Sequence, residues 1–411
     1  MRTVGIVVEY NPLHNGHLYH IRQSRKITGA DAVVAVMSGH FLQRGEPALA
    51  DKWARAEMAL RAGCDLVLEL PVAYSAQPAQ WFAYGAVGVL AATGAVDALC
   101  FGSESGELAP LVSIAERLAE EPEAVGARLG ELLKTGLPYP TAFNEAVRSY
   151  LAGEGLIADA GFRLDQPNHT LGLHYLLALR RLDSRIEPYS IRREKSGYNQ
   201  TSITDDRIAS ATALRKLLAE QADLSAIAPF VPESTLDVLR REAAAGRAPI
   251  TWEAFARPLF HRLLQSSEAE LAAFAEVTEG LEFRIRQSLR ALPSYAVEAL
   301  LETLKTKRYT RTKLQRTLLR ILLGHRKEEL SPERLASGIE YIRVLGFGER
   351  GRTLLRRMKT SASVPVVQSA AEGDWAYLRL DAQATAVYSL AFDPASPGGA
   401  WRDYTEPPVR F

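Results

Sequence analysis

Cysteine is scarce: Cys64 and Cys100 are the only two in 411 residues, too few for a disulfide framework or a four-cysteine zinc site. Thiols this sparse point to a reducing cytoplasm. Long apolar runs are missing as well. The opening stretch Val4–Val8 is too short for the core of a secretory signal. Glycines and Asp97 interrupt Tyr84–Phe101, which disqualifies it as a membrane span. Neither sign of charge prevails, since 49 Lys and Arg against 48 Asp and Glu leave +1. Taken whole, that balance argues against a nucleic-acid partner. No repeat with a period of about 20–50 residues occurs, and no low-complexity tract. What remains is an ordinary globular composition, 47% hydrophobic and 24% charged, long enough for roughly two or three domains.

The first 220 or so residues alternate short β-branched runs with longer helical patterns. Thr3–Val8, Ala32–Met37, Asp65–Val72 and Val96–Phe101 read as strands apolar on both faces, and His17–Thr28, Asp51–Ala62 and Ala79–Ala92 as the helices between them. A helix Asn168–Arg181, a strand Ile186–Arg193 and a helix Ser210–Glu220 continue the series. Such alternation predicts right-handed βαβ crossovers: a Rossmann-like, doubly wound parallel sheet whose ligand sits at the carboxyl ends of the strands. From about Pro232 to Lys359 helical periodicity takes over, and the Pro- and Gly-rich tail Asp393–Phe411 reads as a wrapping segment. The expected division is a nucleotide domain over 1–225, a helical basic region over 226–360 and a C-terminal extension over 361–411 packed on both.

Chemistry concentrates after the first strand. His14-Asn15-Gly16-His17 brackets a glycine where a strand hands over to a helix, and His20 follows one turn later. A glycine lacks the Cβ that blocks close approach, a helix start offers free N–H groups and a positive dipole end, and imidazoles can donate to phosphates as charge builds. A polyphosphate ligand fits. A metal site fits less well, because Glu9 is the only acid in the stretch and no cysteine shares it. Ser210-Ala211-Thr212-Ala213-Leu214-Arg215 supplies a second phosphate grip, with two hydroxyls at a helix start and a guanidinium one turn inside.

Together these segments resemble the HxGH nucleotidyltransferase superfamily, and longer strings narrow the resemblance to the bacterial tRNA(Met) cytidine acetate ligase family. The strings are GIVVEYNPLHNGHLYH at 5–20, MSGHFLQRGEPALADKWARAEMAL at 37–60, CFGSE at 100–104, QPNHTLGLHYLLAL at 166–179, IASATALRK at 208–216, RVLGFGERGRTLL at 343–355 and LDAQATAVYSL at 380–390. They span nearly the whole chain. The resemblance implies an enzyme that joins acetate to ATP, releases pyrophosphate, and passes the acetyl group to N4 of the wobble cytidine of elongator tRNA(Met). It implies catalytic His14 and His17, and an ATP site built by Val7-Val8-Glu9-Tyr10-Asn11-Pro12-Leu13-His14-Asn15-Gly16-His17-Leu18-Tyr19-His20 with Gly102, Asn168, Arg193, Ser210, Thr212 and Arg215. ATP would arrive with Mg²⁺, and neither a prosthetic group, a membrane nor an obligate protein partner is implied.

Three positions depart from the family pattern. Leu13 replaces a Phe, His169-Thr170 an Asn-Ile pair, and Asn199-Gln200 a His-Asp pair, so no role is assigned to the last two. The Gly-containing loop Ser38–Gly45 and the helix after it, which carries Lys52 and Arg55 one turn apart, are expected to help cover the site, unless that helix presents a solvated basic face.

The neutral total conceals an uneven distribution. Residues 305–359 hold 16 Lys and Arg but 5 acids, a local charge of +11. Lys313, Arg316 and Arg320 form one helical stripe, and Arg352, Arg356 and Lys359 a second. Both are expected to contact RNA phosphates, with Tyr309 and Tyr341 available to stack on bases. Two other functions fit the same motifs: adenylation of a small phosphorylated acceptor, and non-catalytic RNA binding with ATP as a structural ligand. The basic region disfavours the former and the intact histidine pair the latter.

Overall fold

The computed structural model describes residues 1–153, 163–193 and 209–411; Ser196–Gln200 and Ile208 lie outside them. Five strands, β1 (Thr3–Val8), β2 (Ala32–Ser38), β3 (Leu66–Leu70), β4 (Ala98–Ser103) and β5 (Glu187–Arg192), form the parallel array β5-β4-β1-β2-β3. Register runs without interruption from Thr3↔Ala32 to Val8↔Met37. β2 shows why both faces must be covered. Val33, Ala35 and Met37 enter one apolar core, Ala32, Val34 and Val36 the other, and all are at most 1% exposed. Helices α1 (Asn15–Thr28) and α2 (Lys52–Arg61) pack on the first face, and the helices Ala79–Ala92 and Pro167–Arg181 on the second. The chain reverses direction across the sheet between β1 and β4, which opens a crevice at their carboxyl ends.

The sheet is not purely parallel. β6 (Ile342–Phe347) joins β3 antiparallel, with a register shift at Val67/Leu68, and β7 (Val366–Val367) and β8 (Val409–Arg410) pair with β6. Within the stretch Pro232–Lys359, where helical periodicity is expected to dominate, Ile342–Phe347 is the correction. Every residue of β6 is buried, so its apolar pattern has no period that separates strand from helix, and only the open edge of β3 decides it. The tail does wrap, as two short helices and β8. Among the described residues no helix is long and apolar enough to cross a membrane.

Candidate active site

A cavity of about 220 Å³ opens at the carboxyl ends of β1, β4 and β5. Its walls come from Val7–Asn11, Phe101-Gly102 and Ile191–Arg193, from the first turns of α1, Pro167–Arg181 and the helix Ala211–Gln221, and from the loop Leu42–Glu46. Three helix N-termini therefore meet here, none with an acidic residue in its first turn. One is already satisfied: Glu104 accepts from the backbone of Asn168 and His169 at 3.0 and 2.9 Å. The ends of α1 and Ala211–Gln221 are capped by neutral side chains, His14 and Ser210, and bring no negative charge of their own to the cavity.

His14 caps α1. Its Nδ1 accepts the Gly16 N–H at 3.1 Å, and His17 Nδ1 accepts the His14 N–H at 3.3 Å, a reciprocal capping box made of two imidazoles. The rings stack with centroids 3.7 Å apart, and Tyr10 meets His17 edge-on at 5.1 Å. An Nδ1 that accepts a hydrogen bond has no proton, so each neutral ring carries it on Nε2. Burial, with Arg193 and Arg215 nearby, lowers His14 to about 3. Burial and the His14 ring hold His17 well below the ordinary value. His20 falls to about 4, mainly by burial, and bonds to the Cys100 backbone while its Nε2 has no partner among the described residues. Gly16 is also favoured by the fold itself. A Cβ there would lie 2.9 Å from the His14 ring, so the missing side chain makes room for the imidazole itself.

Other walls are equally specific. Tyr10, at φ +51°, turns the chain off β1. Asn11 is 3% exposed; its Oδ1 accepts the Leu49 N–H at 2.6 Å, leaving a buried Nδ2 unpartnered among the described residues. Glu9 accepts the Gln43 N–H at 2.8 Å, and burial raises its carboxyl above the usual range. Arg193 lies over Gly102, where a Cβ would meet its Cγ at 3.2 Å. Ser210 caps its helix through the Ala213 N–H, and Thr212 faces the cavity. Arg215 donates to the Asn11 carbonyl at 3.0 Å and to Glu46 at 2.9 Å. Asn168 reaches the cavity, but its amide donates to Glu104 at 2.7 Å. Val7, Val8 and Tyr19 line the space, whereas Leu13 is fully buried beneath it; Pro12, Asn15 and Leu18 do not line it.

Gln43 and Arg44, in the loop Ser38–Gly45 expected to help cover the site, line the cavity; sequence reasoning missed Glu46 and the apolar wall of Phe82, Leu171 and Tyr175. The loop's glycine was a usable signal; the aromatics sit in ordinary helical core patterns and gave none. Lys52 and Arg55 neither cover the site nor face solvent. Arg55 is 1% exposed and donates to the carbonyls of Glu9 (2.7 Å), Ser38 (3.0 Å), Ala50 (3.0 Å) and Gly39, which braces the cavity loops from behind. Lys52 is fully buried, with Nζ 2.8 Å from Glu69 and 2.9 Å from Asp403.

A family model described as HIGH Nucleotidyl Transferase matches residues 1–399. The tRNA(Met) cytidine acetate ligase of Acetivibrio thermocellus is 42% identical over 370 residues, covering 89% of this chain and 88% of that protein. That of Lysinibacillus sphaericus is 39% identical over the full length of both. The crystal structure of Thermotoga maritima TmcAL bound with alpha-thio ATP superposes with a TM-score of 0.90 at 36% identity, and its apo form with 0.92 at 35%, each covering both chains completely. The chain belongs to the tRNA(Met) cytidine acetate ligase family.

In this member of the ligase family the two basic stripes differ sharply. Arg320 is 0% exposed; its guanidinium donates to the carbonyls of Ala76 (2.6 Å) and Val72 (3.3 Å) and meets His325 Nδ1 at 2.9 Å. Lys313 and Arg316 pair with Glu276 at 3.5 and 2.8 Å, so this stripe of the helix Arg311–Leu323 faces protein. Tyr309 and Tyr341 are 7% and 0% exposed and bond to the Glu279 carbonyl and to Asp381. Neither ring is open to a base. Helical spacing identifies a common face but not what covers it, and here an acidic residue and the β3–helix turn do. Arg352, Arg356 and Lys359, on the helix Glu349–Ser361, are exposed and edge a surface groove of about 440 Å³ with Arg410.

Proposed function

We propose that the protein is an ATP- and acetate-dependent ligase that acetylates N4 of the wobble cytidine of elongator tRNA(Met) through acetyl-adenylate. The observation that carries this is the neutral His14–His17 pair at the start of α1, facing one cavity with Arg193 and Arg215. Acetate is already a carboxylate at neutral pH and needs no base to attack the α-phosphorus. As its oxygen bonds to phosphorus, the bond to pyrophosphate breaks and charge grows on the leaving oxygens. Nε2–H donors, a helix N-terminus and two guanidinium groups suit that charge. The cytidine amine then attacks the acetyl carbonyl, the acyl–phosphate bond breaks, AMP leaves, and the amine proton passes to solvent.

Among the described residues no three His, Cys, Asp or Glu side chains converge as a metal cage. A Mg²⁺ ion entering with ATP would offset charge on the phosphates. We assign RNA contact to Arg352, Arg356 and Lys359 in the region 226–360, nucleotide chemistry to 1–225, and a clamping role to 361–411. Two buried free thiols, Cys64 and Cys100, suit a cytoplasmic enzyme. ATP–pyrophosphate exchange that requires acetate, followed by N4-acetylcytidine in nucleosides from treated tRNA, is the expected result. Exchange without acetate would instead favour transfer to another acceptor.

A further inference from the structure

Glu46 is a carboxylate in the wall of a cavity built for phosphates, where a negative charge should repel the ligand. Its contacts explain its presence. One oxygen receives Arg215 Nη2 at 2.9 Å; the other receives Gln315 Nε2 at 3.3 Å. Gln315 is 4% exposed and belongs to the helix Arg311–Leu323, outside the nucleotide domain. Next to Glu46, Gly45 (φ +76°) presses so closely on this helix that a Cβ would lie 2.4–2.7 Å from the backbone of Gln315 and Arg316. The loop therefore rests on the helix, and Glu46 spans the gap between Gln315 and Arg215. A guanidinium has five N–H donors. In Arg215 one goes to the Asn11 carbonyl and one to Glu46, which fixes the plane and leaves three for a ligand.

From this geometry we propose that Glu46 is a positioning residue for ATP: anchored by Gln315, it holds the Arg215 guanidinium in the plane that meets the β- and γ-phosphates. The proposal rests on the phosphate-contacting role given to Arg215 above. With its charge offset by Arg215, Glu46 costs little in repulsion, and a pre-oriented guanidinium saves ordering entropy on binding.

The test is equilibrium binding of ATP and of AMP by calorimetry, without acetate or tRNA. Glu46→Ala should weaken ATP about tenfold and leave AMP within about twofold, because AMP lacks the phosphates that Arg215 meets. Glu46→Gln, which keeps a neutral hydrogen bond, should fall between wild type and Glu46→Ala. Combined with Arg215→Ala, Glu46→Ala should add nothing, since both changes act through one guanidinium. Equal losses for ATP and AMP, or full additivity, would mean a merely structural loop residue. Unchanged or tighter ATP binding by Glu46→Ala would also overturn the proposal. If Arg215→Ala itself leaves ATP affinity intact, the phosphate role of Arg215 has failed, and that outcome is separate from a failure of Glu46 alone.

Discussion

His14 and His17 lie face to face, 3.7 Å between centroids, each with Nδ1 turned back onto the backbone of the helix they begin. The arrangement fixes their tautomer before any ligand arrives. Both donors therefore come from neutral rings, and a cation pair is avoided where two charges would repel.

The protonation state can be read directly. Nitrogen chemical shifts of the His14 and His17 rings should report the Nε2–H tautomer from pH 8 to about pH 5, with no titration near the ordinary value of about 6.5. His14 should take up a proton only near pH 3. Its depressed value also links to folding: the unfolded chain binds the proton first, so stability from this group is complete above about pH 6.5 and is lost as pH falls toward 3. A ring that titrates near neutrality would contradict the capping geometry.

Replacing His17 should separate the two half-reactions. His17→Ala is expected to cut acetate-dependent pyrophosphate exchange at least about a hundredfold, the scale of losing one transition-state donor, with tRNA affinity within about twofold. Filter binding alongside the exchange assay checks both.

Opposite behaviour is expected on the helix Glu349–Ser361. Arg352→Glu with Arg356→Glu should weaken tRNA binding at least about tenfold and flatten its salt dependence, because each cation lost releases one fewer counterion. Pyrophosphate exchange should persist. If exchange falls in parallel, these residues support the fold rather than the RNA.

Arg320→Ala should fail differently. Burial already lowers this guanidinium to about 10, and it is spent on two carbonyls of the β3–helix turn. Its removal should cost about 3–5 kcal/mol of stability by denaturant unfolding, the scale for emptying one side of a buried polar cluster. Native-like stability would place Arg320 back among surface residues.

Lys52 offers a test of the C-terminal clamp. Burial works to strip its proton, but Asp403 and then Glu69 outweigh it and hold the pKa above the ordinary lysine value. Asp403 also receives Arg343 at 3.2 Å, and neighbouring Arg402 pairs with Asp51 at 2.5 Å over the Trp53 ring. Lys52→Met leaves two buried carboxylates without their shared cation. Stability should drop by about 3–5 kcal/mol, and trypsin should cut after Arg402 sooner than in wild type. An unchanged cleavage rate would mean that the tail is held by apolar packing instead.

The sequence by itself determined the five parallel strands, because β-branched runs punctuated by helical periods call for right-handed crossovers, and β1 appears at its expected bounds, Thr3–Val8. It also pointed to residues that share one cavity: His14, Gly16, His17, Ser210 and Arg215 are recognisable at helix starts, a local property of the chain, and all five line the same space. Tertiary structure decided what local patterns cannot carry. β6 is a strand only because β3 has an open edge. Arg320, Lys313 and Tyr341 follow the same spacing rules as surface residues, yet Arg320 and Tyr341 are buried and Lys313 is paired, because Glu276, Asp381 and the β3–helix turn come to them from distant sequence. Lys52 and Asp403, 351 residues apart, meet in the interior. Spacing says which side chains share a face. Only packing says whether that face meets water, and for a charged residue that difference separates an RNA contact from a buried brace.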